Sequence, residues 1–325
     1  MVSPGTLQVV NTLGEGVNHT YEPTIRDSGE VSYPSAEELL DDRDDDAVIV
    51  LEQLADRSLL DREFQSKVYI CPECLTDGMQ YSTACPSCGS IEAFETTLVE
   101  HTECGTVDVE ESFRDGICPG CERQVAEETL SSQRRYVCQG CESWFDTPAN
   151  RLRCRECLHV CQPTDSHERV LYVYTLGSGG ERWLDEQLTA RDSIAEELSE
   201  RRFETTIDAV VTADDGTDYP VHVYAVDTFL DNRIVAEVHD QPTRADIEYL
   251  IEAADALSAH PILVTTSGVV SEAVSERLSG VDVTVMTSDG EGGLEQAYRV
   301  TDEPRSTESF VQRLASSLDV SGWKS

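Results

Sequence analysis

Between residues 71 and 157 the sequence carries five cysteine pairs of the form Cys-x-x-Cys: Cys71 and Cys74, Cys85 and Cys88, Cys118 and Cys121, Cys138 and Cys141, Cys154 and Cys157. A tight turn of this kind aims two thiolates at one point, which makes a good chelate and a poor disulfide. Two such turns supply the four tetrahedral ligands that zinc takes at about 2.0 to 2.3 Å. Consecutive pairing predicts one site from Cys71, Cys74, Cys85 and Cys88, and another from Cys138, Cys141, Cys154 and Cys157. Cys118 and Cys121 then need two more ligands, and His101 with Cys104 lies upstream in His-Thr-Glu-Cys spacing. His159 and Cys161 are left over. Two other arrangements stay open: interleaving of alternate pairs as in a cross-brace, and Cys161 in the place of His101.

An iron–sulfur cluster also takes four cysteines, but repeated Cys-Pro-x-Cys knuckles in separate hairpins favour zinc. Every ligand is then a protein side chain, so no position is left for water. About three structural ions are expected, supplying folding energy that an apolar-poor segment lacks.

The elements that must position these ligands can be read from periodicity. Residues 1–44 show little of it and are expected to be irregular, apart from a short helix at Ser35-Ala-Glu-Glu-Leu-Leu capped by Ser35. The metal module is expected over 45–161, opened by a helix from Asp46 that places Val48, Leu51, Leu54 and Leu59 near one face, packed against the first zinc site. Residues 162–180 read as a connecting strand (RVLYVYTL) and a Gly-rich linker. From 181 to 290 the pattern is α-β-β-β-α-β-α-β. Its first helix shows Leu184, Leu188, Ile194 and Leu198 on one face. The remainder, 291–325, reads as a tail with a helix over 306–318. The fold class is thus multidomain: a small zinc-ribbon-like β-rich module followed by an α/β domain.

Composition bounds the rest. The 325-residue chain has 63 acidic and 24 basic residues, a formal net charge of -39, and only Lys67 and Lys324 as lysines. This resembles haloarchaeal proteins, whose acidic self-repulsion is screened when the Debye length falls to about 3 Å at 1 M salt. No apolar run approaches 18 residues, which argues against a membrane partner. The first residues lack the pattern of a secretory signal. All twelve cysteines fall between 71 and 161 of this chain, so metal in a reducing cytoplasm is expected rather than disulfides.

Leu51-Glu-Gln-Leu, then Phe64-Gln-Ser-Lys-Val-Tyr-Ile-Cys71-Pro-Glu-Cys74, the second Cys-Pro-x-Cys, His101-x-x-Cys104-Gly, Phe113, Cys118-Pro-x-Cys121 and Tyr136-x-Cys138-x-x-Cys141 together resemble the thaumarchaeal output domain. The resemblance spans roughly 45–160 and implies a metal-binding module of the kind attached to signalling domains in archaea. It departs from that family's His-His-Phe before Cys-Gly, since this chain reads Val99-Glu-His-Thr-Glu-Cys. The ligand histidine is retained.

The C-terminal element order, with the segments Ala213–Ala225, Arg233–Asp240 and Pro261–Ala273, resembles the restriction-endonuclease-like fold. That resemblance implies two carboxylates for Mg(II) and a lysine in E-x-K. Here Glu237 stands at the glutamate, His239 at the lysine, and His222 near the usual aspartate. A histidine is no substitute for a hard oxygen ligand, so the domain reads as non-cleaving. His222, Glu237 and His239 are weak catalytic candidates: a half-exposed pair of strand histidines beside a structural glutamate, or a transition-metal site of two histidines and one carboxylate.

Around the third zinc site, Arg134, Arg135, Arg151, Arg153 and Arg155 stand against Glu142, Asp146 and Glu156. With Tyr136, Trp144 and Phe145 nearby they are candidates for nucleic-acid contact. The same arginines could instead offset the negative charge of a four-thiolate site. Three functions compete: a regulatory or adaptor protein binding a protein partner, an active metal-dependent nuclease, and a non-catalytic nucleic-acid binder. Metal analysis of the purified chain checks the starting point, and fewer than two zinc ions per chain would refute a three-site module.

Overall fold

The computed structural model of the protein describes residues 2–40, 44, 46–230, 232–279, 281–289 and 292–299. Its first element is α1 (Pro4–Gly14), in a stretch expected to be irregular. Ser3 caps it by accepting the Thr6 N–H at 2.8 Å, and Pro4 at the first helical position has the φ a helix needs. Val9, Val10 and the threonines are poor helix formers, so local periodicity is weak. Burial of Leu7, Val9, Val10 and Leu13 overrides that propensity.

Two short strands follow, β1 (Thr24–Ile25) and β2 (Val31–Ser32), which pair. The next helix is one turn, α2 (Pro34–Glu37), and its cap is Tyr33 rather than Ser35. The Tyr33 N–H is taken by Glu37 Oε1 at 3.1 Å. The Asp46 side chain then caps α3 (Ala47–Asp56), which buries Ala47, Val50, Leu51 and Leu54.

The strands of the metal region are β3 (Leu60–Ile70), β4 (Met79–Ala84), β5 (Ala93–His101), β6 (Thr106–Val109), β7 (Leu130–Cys138), β8 (Trp144–Phe145), β9 (Ala149–Cys154), β10 (Val160–Cys161) and β11 (His167–Leu176). They form one sheet in the order β10-β9-β4 and another in the order β6-β5-β7-β8, while β11 pairs with β3. The remaining elements are α4 (Ser178–Glu200), β12 (Glu204–Thr212), β13 (Asp218–Asp227), β14 (Asn232–His239), α5 (Arg244–Ala256), β15 (His260–Thr265), α6 (Glu272–Leu278), β16 (Thr284–Ser288) and β17 (Leu294–Arg299). This is the expected α-β-β-β-α-β-α-β order with one strand more. β17 pairs antiparallel with β16 in a stretch expected to begin the tail. The helix expected over 306–318 lies outside the described residues.

Two compact units result, and they do not follow chain order. Of the described residues, one takes in those within Met1–Thr24, Ser32–Phe64 and Tyr172–Ser325; the other takes in Ile25–Val31 and Gln65–Leu171. The β-rich module is therefore inserted within the α/β unit rather than placed ahead of it. The chain leaves along β3 and returns along β11. The leading helix α3 belongs to the α/β unit, not to the metal module as its sequence position had suggested. Its buried face needs an apolar layer, and the module has few such residues to offer.

The α/β unit is built on a six-stranded sheet, β12-β13-β14-β15-β16-β17. β14, β15 and β16 run parallel, and the outer pairings are antiparallel. On one face Ile194 and Leu198 of α4 pack with Val223, Ile234, Ala236 and Val238. On the other, Ile247 and Leu250 of α5 and Leu278 of α6 pack with Val235 and Leu263. Side chains alternate along a strand, so Glu237 and His239 share the α5 side with Val235. Charged and polar groups thus occupy positions where the pleat calls for apolar ones.

The buried cap on α1 gives a direct test of this N-terminal helix. Ser3→Ala is expected to lower stability by about 1 kcal/mol, read as a shift in urea midpoint with zinc content unchanged.

Candidate metal centres

Six knuckles carry the cysteine-rich ligands and share one backbone. In five of them the first cysteine's N–H donates to the carbonyl five residues on: Cys71 to Thr76, Cys85 to Ser90, Cys118 to Arg123, Cys138 to Ser143 and Cys154 to His159, at 2.8 to 3.0 Å. The residue after the second ligand is left-handed in all six: Leu75, Gly89, Gly105, Glu122, Glu142 and Leu158, with φ between 56 and 77°. Only two are glycine. The other four accept a cost of about 1 to 2 kcal/mol each, strain that is tolerated where the surrounding structure over-determines the turn.

The knuckles meet in three clusters, each with its ligand atoms within 4.8 Å of one another: Cys71, Cys74, Cys154 and Cys157; Cys85, Cys88, Cys138 and Cys141; His101, Cys104, Cys118 and Cys121. The ligand residues are those expected, and His101 rather than Cys161 completes the middle site. The middle site joins neighbouring knuckles as expected, but the other two sites do not, and alternate pairs do not cross-brace: the arrangement is nested, with first knuckle to last, second to fifth and third to fourth. The sheets impose this. β4 runs antiparallel to β9 with Met79 opposite Cys154 and Ala84 opposite Ala149. β5 runs antiparallel to β7 with Ala93 opposite Cys138 and His101 opposite Leu130. The outgoing and returning arms therefore meet rung by rung.

The donors fit zinc. A tetrahedron with Zn–S bonds of about 2.3 Å has S···S edges of about 3.8 Å. The closest contacts are 3.6 Å for Cys71–Cys157, 3.5 Å for Cys74–Cys154 and 3.6 Å for Cys85–Cys141, Cys88–Cys138 and Cys104–Cys118. His101 Nδ1 lies 3.0 Å from Cys104 Sγ and 3.6 Å from Cys121 Sγ, with Nε2 turned toward Glu103. None of the twelve cysteines is in a disulfide.

The thiols of one cluster cannot all ionise without a cation. Cys141 is held down to about 6 by the Ser143 hydroxyl and backbone N–H. Cys88 is pushed up to about 12: the Ser90 N–H, its largest influence, favours the thiolate but is outweighed by Cys141 and Cys138. A dication removes that conflict. The module holds about three structural zinc ions.

Cys161 is buried on β10 opposite Leu152 and joins no cluster; burial raises its pKa. His159 contributes its carbonyl to a knuckle, not its ring. The five arginines are divided between two sheets. Arg134 and Arg135 lie on β7, and Arg135 is tied to Asp146 at 2.9 Å. Arg151 and Arg153 lie on β9 in the other sheet, with Arg155 just beyond it. Tyr136 and Phe145 are cross-strand partners that stack on each other, with centroids 5.8 Å apart and planes at 8°.

In the α/β unit His222, Glu237 and His239 form a fourth group within 4.8 Å. All three are buried rather than half-exposed. His222 Nδ1 is 3.0 Å and His239 Nε2 3.4 Å from Glu237 Oε2.

The family model for thaumarchaeal output domain 1 matches residues 11–176, just over half of the sequence. The chain belongs to this family. The match begins well before the first cysteine and ends with β11, so it is wider than the motif-bearing stretch 45–160. No curated protein matches the chain. Among solved structures, a repair endonuclease from Pyrococcus abyssi is 10% identical, with 74% of this chain and 92% of that chain covered at a TM-score of 0.24. A similarity that low carries no argument about fold or activity.

Double substitutions in the full chain test the nested pairing. Replacing Cys71 and Cys154 together by serine should cost one zinc, because both serve one ion. Replacing Cys71 and Cys85 should cost two. Consecutive pairing inverts these losses, and native mass spectrometry counts them.

Proposed function

We propose that the protein is a zinc-organised adaptor whose metal module presents a recognition face to a protein partner, with the α/β unit kept as a non-cleaving scaffold. One observation carries the reading. Phe94 on β5, Val137 on β7 and Trp144 on β8 lie directly opposite one another in the ladder. They form a cross-strand row in which Phe94 is 52% and Trp144 41% exposed. Thr96 and Arg135, two residues along, extend the same face. Aromatic and arginine side chains on a rigid sheet are the groups that dominate protein interfaces. Closed metal sites fix that sheet without offering chemistry of their own.

A protein partner is favoured over nucleic acid on charge. The arginines are divided between two sheets, one is neutralised by Asp146, and the chain carries -39 overall. Counterion release, the main source of non-specific nucleic-acid affinity, is also weak in the molar salt that such an acidic surface suits. A nuclease of the E-x-K kind would require a hard oxygen ligand where His222 stands and a lysine where His239 stands. The reading places the protein in a reducing, cytoplasmic setting with an archaeal signalling role, as the family's title of output domain suggests.

The test uses the full chain in molar potassium chloride. A partner recovered with the wild-type protein should bind at least about tenfold more weakly to the Phe94→Ser, Trp144→Ser double variant, the equivalent of about 1.4 kcal/mol, with zinc content unchanged. Retention on DNA or RNA that weakens when Arg151, Arg153 and Arg155 are replaced together would move the function to nucleic-acid binding. Plasmid cleavage with Mg(II) or Mn(II) that disappears in Glu237→Ala would establish a nuclease.

A further inference from the structure

The buried group in the α/β unit does not belong to the zinc module, and the adaptor reading makes no use of it. We propose that His222, Glu237 and His239 hold one divalent first-row transition-metal ion, a fourth centre of two imidazoles and a carboxylate. The donor set is the first reason. It suits zinc, cobalt, nickel, manganese or iron and ill suits magnesium or calcium, which take oxygen ligands.

The second reason is an accumulation of unpartnered polar atoms in one buried place. His222 Nε2, both ring nitrogens of His239 and Asp246 Oδ1 make no hydrogen bond among the described residues. His222, Glu237, His239 and Asp246 are each at most 1% exposed. Buried polar groups left unpaired are destabilising, and native interiors hold few of them. A metal ion would take up a lone pair of the His239 ring that no protein donor reaches, and would replace the 3.4 Å contact of the Val238 N–H on His222 Nδ1, the nitrogen that faces Glu237.

Third, Asp246 is placed as an orienting residue. Its Oδ2 accepts from the Thr243 N–H at 2.7 Å and from the Thr243 hydroxyl at 2.6 Å, a capping box that locks the carboxylate at the start of α5. Its Oδ1 faces His239 Nδ1 at 3.9 Å, while His239 Nε2 faces Glu237. A carboxylate behind one ring nitrogen and a ligand group before the other is the arrangement that sets tautomer and ring direction in metal-bound histidines.

Fourth, charge and backbone agree. Glu237 and Asp246 bring two carboxyl groups into a fully buried space, where Glu237 faces His222 and His239. Buried charge is paired or bound to metal. The sheet is also distorted at this place. The β12–β13 ladder pairs Ile207 with Val223 and Ala209 with Val221, and Asp208, at the rung of His222, has φ +48°. An ion held here joins β13 to β14 and, through Asp246, to α5. With no ligand side chain open to solvent, its role is to hold these elements together.

Cobalt(II) reconstitution of the metal-free full chain tests the proposal. Thiolate-to-cobalt charge transfer should saturate at about three equivalents, and one further equivalent should add only weak d–d absorption. Plasma mass spectrometry should then return four metal ions per chain. His222→Gln and His239→Gln should each bind three, with the thiolate charge transfer undiminished. Saturation of the wild-type chain at three equivalents would overturn the proposal and leave a proton-sharing triad; this count requires no variant to fold. Retention of the fourth ion by both variants would overturn it equally. Loss of partner binding at Phe94 and Trp144 bears on neither outcome.

Discussion

Thiolate–metal bonds between two antiparallel arms are the constraint on which the metal module depends. Among its buried apolar residues, Val99 and Phe113 make a small cluster with Cys118 at the middle site, and Leu98 and Leu152 lie under the strands. That is far less than a domain of this length needs to offset its chain entropy. Two short sheets carry the arms, and three metal clusters clamp them at successive rungs. The outermost cluster joins Cys71 to Cys157, closing the longest loop and so removing the most freedom from the unfolded chain. The left-handed residues after each knuckle show the same priority, since four of them hold a strained conformation that the chelate requires.

The α/β unit solves the same problem by ordinary means. Helix α4 closes one face of its sheet and helices α5 and α6 the other, each through an apolar stripe against alternating strand residues. It departs from this in the row of His222, Glu237 and His239, set where the pleat faces α5. Polar groups are retained in an apolar layer only when something compensates their desolvation, and here the compensation is assembled from two strands and a helix cap. The same chain thus uses metal in place of a core in one unit and places a metal-ligand set within a core in the other.

Much of this was legible one element at a time. The strands and helices from Glu204 to Ser288 follow alternation and helical spacing closely, because their apolar faces are complete and local turns punctuate them. The helix at Pro4–Gly14 was not legible, since its β-branched residues favour a helix only once buried. The placement of α3 is not legible for a related reason. Its apolar face says that it must pack, and says nothing of the surface that receives it.

What the sequence determined by itself is the ligand inventory: residue type and two-residue spacing fix the chelating geometry, because a Cys-x-x-Cys turn is closed by hydrogen bonds within a few residues. Which knuckles share an ion was decided only by tertiary structure. Every knuckle has nearly the same local form, and the choice between neighbours and nested partners is made by strand pairings dozens of residues apart. Burial was decided at that level too. His222 and His239 read as half-exposed strand residues, and only the packed tertiary structure buries them and makes two histidines and a glutamate a set of ligands facing one point.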